Sequence, residues 1–153
     1  MIKIKEILAP TDFSERSQHA LKYAAELARR FDAKLHLLNV IEHPVTVASE
    51  MVFEPQRVED ERTANAKALQ DLSTNVVFQG IATSSEALIG VTDLEILRVA
   101  KARDVDLLVI ATHGRTGLAH LFMGSVAERL IQRAKCPVLT VRPEGHQFVS
   151  PTE

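Results

Sequence analysis

Two periodicities alternate along this chain, and that alternation constrains its fold more than any other feature. Ile7, Leu8 and Ala9, residues 35–41, Leu107–Ala111 and Val138–Val141 are short, nearly continuous apolar runs, with a weaker fifth candidate at 87–91. A strand with one wet face alternates apolar and polar residues. Runs without alternation read as strands covered on both faces, which is the mark of a parallel sheet. Between them lie helical patterns. From Ser17 onward, Ala20, Leu21, Ala24, Leu27, Ala28 and Phe31 share one stripe, while Lys22, Glu26, Arg29 and Arg30 fall elsewhere. Thr92-Asp93 offers an N-cap for a second helix through Ile96, Val99 and Ala100, ending near Arg103. Gly124-Ser125 opens a third, with Ala127, Leu130 and Ala134 inward, stopped ahead of Cys136-Pro137 because proline disfavours a helical residue before it. Residues 58–72 are helical by propensity, with a poorer apolar stripe. The order is therefore β-α-β-α-β-α-β-α-β. Right-handed crossovers fold such a chain into one doubly wound α/β sheet with helices on both faces.

Composition excludes several alternatives. The 153 residues carry 18 Lys+Arg against 20 Asp+Glu, a formal charge of −2, and 46% are hydrophobic, which suits one domain with a substantial core. The near-neutral balance, the absence of Trp and the single Tyr23 argue against a nucleic-acid binder. One cysteine, Cys136, excludes an intrachain disulfide and a cysteine-rich zinc site, so a reducing cytoplasm is the expected compartment. Cys136 itself reads as a small buried hydrophobe. The opening Met1-Ile2-Lys3-Ile4-Lys5-Glu6 reads as neither signal nor transit peptide. No apolar run approaches the roughly 20 residues of a membrane-spanning helix. Residues 42–56 form the long irregular stretch, and the segment after Arg142, with Pro143, Gly145 and Pro151, reads as a loosely held tail.

In open α/β sheets ligands sit beyond the carboxyl ends of the strands, where the winding reverses. After the first run comes Pro10-Thr11-Asp12-Phe13-Ser14, and after the fourth comes Thr112-His113-Gly114-Arg115-Thr116-Gly117, leading to Gly124-Ser125-Val126 at a helix start. Gly114 and Gly117 allow close backbone approach. Gly124 and Ser125 place free N–H groups and a hydroxyl at a helix N-terminus, which favours an anion such as phosphate. Arg115 can add a charge-assisted contact. Asp12 reads equally as a turn residue or a ligand contact. Neither a GxxxxGK[ST] nor a GxGxxG motif is present, and no GxSxG surrounds Ser125 to support an Asp12–His113–Ser125 hydrolase triad. His113 reads as a loop-ordering or ligand-contacting residue and His36, within a strand, as a structural one. The other histidines lack metal-ligand spacing.

The string Ala111-Thr112-His113-Gly114-Arg115-Thr116-Gly117, continuing through Gly124-Ser125-Val126-Ala127-Glu128-Arg129-Leu130 to Cys136-Pro137-Val138-Leu139-Thr140-Val141, resembles the universal stress protein family. So does the opening Ile7-Leu8-Ala9-Pro10-Thr11-Asp12-Phe13-Ser14. The resemblance implies a five-stranded parallel sheet in the order 3-2-1-4-5, with residues 1–143 as a nucleotide-binding domain and 144–153 as its tail. ATP-binding members carry Gly, two residues, Gly, nine residues, Gly, then Ser or Thr. Gly114, Gly124 and Ser125 fit that pattern, whereas Ala111 stands where its first glycine would be. By the resemblance, Pro10, Thr11 and Asp12 line the adenine and ribose end, and Val40 offers its backbone to the base. Gly114, Gly124, Ser125 and Val126 hold the phosphates with Mg²⁺, and Arg115 is added on its charge alone. The implied protein is a cytoplasmic ATP-binding regulator in stress, with at most slow hydrolysis or autophosphorylation. It forms a homodimer through Val138–Val141 and has protein clients, without nucleic acid or membrane. Ala111 also keeps open a second reading, a non-nucleotide interaction module in which 42–56 recruits a partner.

Overall fold

The computed structural model describes residues 1–42, 55–112, 123–142 and 148–149. In chain order these form β1 (Glu6–Pro10), α1 (Glu15–Phe31), β2 (Lys34–Ile41), α2 (Pro55–Ser73), a 3₁₀ turn (Val76–Phe78), β3 (Thr83–Ile89), α3 (Thr92–Ala102), β4 (Leu107–Ala111), α4 (Ser125–Arg133) and β5 (Val138–Val141). The five strands are parallel in the order β3-β2-β1-β4-β5, as the resemblance implies. The winding reverses between β1 and β4, where Ile7 and Leu8 pair with Leu107 and Leu108.

Each central strand feeds two cores, which is why its sequence is apolar throughout. Ile7 and Ala9 of β1 and Leu35 and Leu37 of β2 pack with Ala20, Leu21, Ala24 and Ala28 of α1 and Leu69 of α2. Leu8, Leu38, Leu108 and Ile110 point the other way, onto Ile96 and Val99 of α3 and Ala127 and Leu130 of α4. The small alanine stripe on α1 brings that helix close against the sheet. Phe148 stacks edge-on against Tyr23 of α1, with ring centroids 4.7 Å apart, and Val149 packs against the same core. Cys136 is half-buried, and burial pushes its thiol up from its ordinary range, which disfavours the reactive thiolate.

Three sequence expectations shift. β3 runs Thr83–Ile89, not 87–91, because it is an edge strand whose register is set by backbone pairing with β2 from Leu35↔Thr83 to Ile41↔Ile89. Exposed Ser84 and Ser85 therefore lie inside a strand that hydropathy alone misses. Helix α1 begins at Glu15, two residues before the expected Ser17, and Ser14 caps it by accepting from the Ser17 N–H at 3.2 Å. The N-cap of α3 is Val91, with no side-chain bond of its own, and not Thr92-Asp93. Instead Glu42, at the end of β2, accepts the Thr92 N–H at 3.2 Å. Asp93, 2% exposed, turns inward to Arg129 at 3.1 Å and Arg133 at 3.8 Å, tying α3 to α4.

Candidate functional site

The loop after β1 is held by a dense set of hydrogen bonds. Its Thr11 N–H continues the ladder to Leu38 O at 2.8 Å, and the Thr11 hydroxyl accepts from the Phe13 N–H at 3.0 Å while bonding Ser17 Oγ at 2.8 Å. Asp12 Oδ1 accepts the Ser14 N–H at 3.0 Å, so the turn role is real. Phe13 is held at φ 63°, in the left-handed region that a non-glycine side chain enters at a cost. Behind the loop, buried Asn39 donates to the Thr11 carbonyl at 2.8 Å and accepts from Asn65 Nδ2 of α2 at 2.9 Å. Thr11 is thus fixed from β2 and α1 directly and from α2 through Asn39.

Across the switch point, the Thr112 N–H donates to Val141 O at 3.2 Å, which extends the β4–β5 ladder past Ala111. The Gly124 N–H donates to the Thr112 carbonyl at 2.7 Å, so the chain that leaves at Thr112 returns to the same point. Gly124 then caps α4 at φ −59°, ψ 148°, and the N-terminus of that helix opens at Ser125. The macrodipole of α4 directs positive potential into the gap between the two loops.

That gap is a cleft of about 300 Å³. It brings together Pro10, Thr11 and Asp12 with Val40, and faces them with Ala111, Gly124, Ser125 and Val126. His113, Gly114 and Arg115 lie outside the described residues, as do most of 42–56 and the segment from 113 to 122. One wall is apolar, from Val40 through Ile96 and Ile110 to Leu130, and suits a flat aromatic base. The lining also includes the hydroxyl-bearing Thr11, Ser17 and Ser125 and the Asp12 carboxylate.

Sequence reasoning missed Glu42, Thr92 and Ser17, which also line the cleft. The signals were weak. Ser17 sits inside α1, where its hydroxyl is bonded to Thr11 Oγ1 at 2.8 Å. Glu42 borders an irregular stretch, and nothing in the sequence links it to Thr92 fifty positions on. Ala111 has no positive φ, and its partly buried methyl packs against the α1-side core. The backbone there does not require glycine. Among the described residues, no group of three or more His, Cys, Asp or Glu could hold a metal ion.

The fold and cleft define a doubly wound α/β domain with a pocket at its switch point. The family model for the universal stress protein family matches residues 3–142, and the chain belongs to that family. It is 35% identical over 144 residues to universal stress protein MJ0531 of Methanocaldococcus jannaschii, covering 90% of this chain and 82% of that protein. Among solved structures, MJ0577 superposes with a TM-score of 0.80 at 27% identity, covering 95% of this chain and all of that one. A universal stress protein from Archaeoglobus fulgidus in complex with dAMP shares the fold, with a TM-score of 0.58 at 19% identity over 91% of this chain and 98% of that one.

Proposed function

We propose that this universal stress protein binds an adenine nucleotide, ATP with Mg²⁺, in the cleft between β1 and β4 and acts as a nucleotide-dependent regulator in the cytoplasm. The observation that carries the reading is the pairing of an apolar slot at Val40 and Ile110 with the N-terminus of α4 at Gly124-Ser125. A base enters the first and phosphates meet the second. Gly114 and Arg115 extend the phosphate end in this assignment, and His113 contacts the ligand or orders its loop. The dAMP held by the A. fulgidus relative supports an adenine nucleotide. Asp12 and Glu42 are the carboxylates lining the cleft, a donor set that fits a Mg²⁺ carried on phosphates and water and not caged by protein. Bound Mg²⁺ would neutralise phosphate charge. The described residues orient the nucleotide, and the proposed activity is at most slow hydrolysis or autophosphorylation. Within the proposed domain, 1–143, the interaction-module alternative rests on Ala111, whose conformation offers it no support.

Calorimetric titration of protein freed of copurified nucleotide tests the reading. Saturable micromolar binding of Mg·ATP is the expected result, and no binding overturns it. Asp12→Ala should weaken that binding roughly tenfold, equivalent to about 1.4 kcal/mol. The variant also loses the bond to the Ser14 N–H, so its circular dichroism is compared alongside. β5 forms the other edge of the sheet, and its unpaired backbone suits pairing with a second copy through Val138–Val141. Sedimentation at micromolar concentration should then give a dimer. Protein clients would read the nucleotide state of that dimer.

A further inference from the structure

At the opposite end of the sheet from the cleft, three adjacent strands bring a carboxylate, an imidazole and a hydroxyl into line. Glu6 of β1, His36 of β2 and Ser84 of β3 occupy the same sheet face, the one that α3 covers. His36 is 7% exposed. Its Nε2 lies 2.5 Å from Glu6 Oε2, and its Nδ1 is hydrogen-bonded to Ser84 Oγ. A carboxylate only accepts, so Nε2 carries the proton, and Nδ1 is left as an acceptor for the Ser84 hydroxyl. Ser84 itself is exposed. A nucleophile bonded to a base, with the base oriented by a third group, is the arrangement that activates serine, whatever the fold or chain order.

The surroundings add two further elements. Arg103, at the end of α3, places Nη1 3.4 Å from His36 Nδ1, while its Nη2 is paired with Glu86 at 3.1 Å. Lys34 stands 3.8 Å from Glu6. The charged groups facing the imidazole are thus Glu6 and Arg103, with Glu86 and Lys34 behind them. A recess of about 630 Å³ beside the free edge of β3 is lined by Ser84 and Ser85 with Thr63, Lys67 and Gln70 of α2, a helix that packs on the opposite sheet face from α3.

We propose that Ser84 is an activated nucleophile, with His36 as its general base and Glu6 as the residue that positions the base, and that it accepts acyl groups from activated esters. Ser84 Oγ attacks the ester carbonyl as its proton passes to His36 Nδ1, and Arg103 supplies positive charge beside the developing oxyanion. The ester C–O bond then breaks, the leaving alcohol takes the proton from His36, and an acyl ester remains on Ser84. Water attacking that ester, its proton again taken by His36, would release the acid and restore the hydroxyl.

The test uses p-nitrophenyl acetate, with release of nitrophenolate followed by peptide mass mapping. The expected result is one acetyl group per chain on Ser84. Ser84→Ala should abolish it, and His36→Gln should slow it by at least about a hundredfold. Glu6→Gln should slow it as well, while Glu6→Asp keeps most of the rate. Because Ser84 is exposed, Ser84→Ala folds, which circular dichroism verifies. Acylation confined to lysines or the amino terminus, equal rates in folded His36→Gln, or no acylation of the wild type would each overturn the assignment.

Discussion

Gly124→Val should reduce Mg·ATP binding below detection in calorimetry, a loss of at least a hundredfold, while the protein stays folded. Both halves of that expectation follow from the geometry of one residue. Gly124 sits at φ −59° and ψ 148°, a conformation open to any side chain, so the backbone itself tolerates valine. Its N–H bond to Thr112 O survives the change, and valine, a poorer N-cap than glycine, costs only about 1 kcal/mol, a few degrees of melting temperature that leave the protein folded. What valine cannot share is the space at the mouth of α4, where phosphate would approach the N–H groups. Thermal unfolding close to that of the wild type, together with lost binding, is therefore the pattern. Undiminished binding to the folded variant would remove the phosphate end from this cleft.

The second large effect concerns stability. Replacing Arg129 and Arg133 together by Met should destabilise the protein by about 3 kcal/mol, because it leaves the Asp93 carboxylate buried without a cation. In a chain of this size that corresponds to a fall of roughly 6–12 °C in melting temperature. Each arginine alone is a poorer target, since both are about half-exposed and the remaining one can still reach Asp93. Adding Asp93→Asn to the double variant should recover part of the loss, because the uncompensated charge is then gone. A drop of equal size with Asp93→Asn present would assign the effect to lost packing of the arginine stems. The clamp matters for the site as well. It joins α3, whose Thr92 and Ile96 line the cleft, to α4, whose N-terminus lines it at Gly124 and Ser125.

The architecture was legible because the interior strands bury both faces. Ile7 to Ala9 and Leu107–Ala111 read as parallel-sheet strands with no other information. β3 was placed four residues late because an edge strand pairs on one side only, and Ser84 and Ser85 have no apolar signature to betray them. The two cleft loops were legible from glycines, a proline and an N-cap pattern near strand ends. Glu42 was not, since capping α3 across the cleft depends on two segments meeting only after folding. Asp93 was misplaced for a related reason. An acidic residue at a helix start reads as a cap, and only the neighbouring helix reveals that it is a buried anchor. The alignment of Glu6, His36 and Ser84 lies wholly in strand register, and a single chain read in sequence holds no trace of it.

The hydrogen bond from Gly124 to Thr112 closes the excursion between them at its neck. Whatever the length or content of the intervening segment, β4 and α4 keep the same separation at its base. Lengthening such a closed segment is cheap, with each doubling costing only about 0.6 kcal/mol in chain entropy. The segment is therefore an interchangeable module. Exchanging it should leave β4 and the N-terminus of α4 in place at its base.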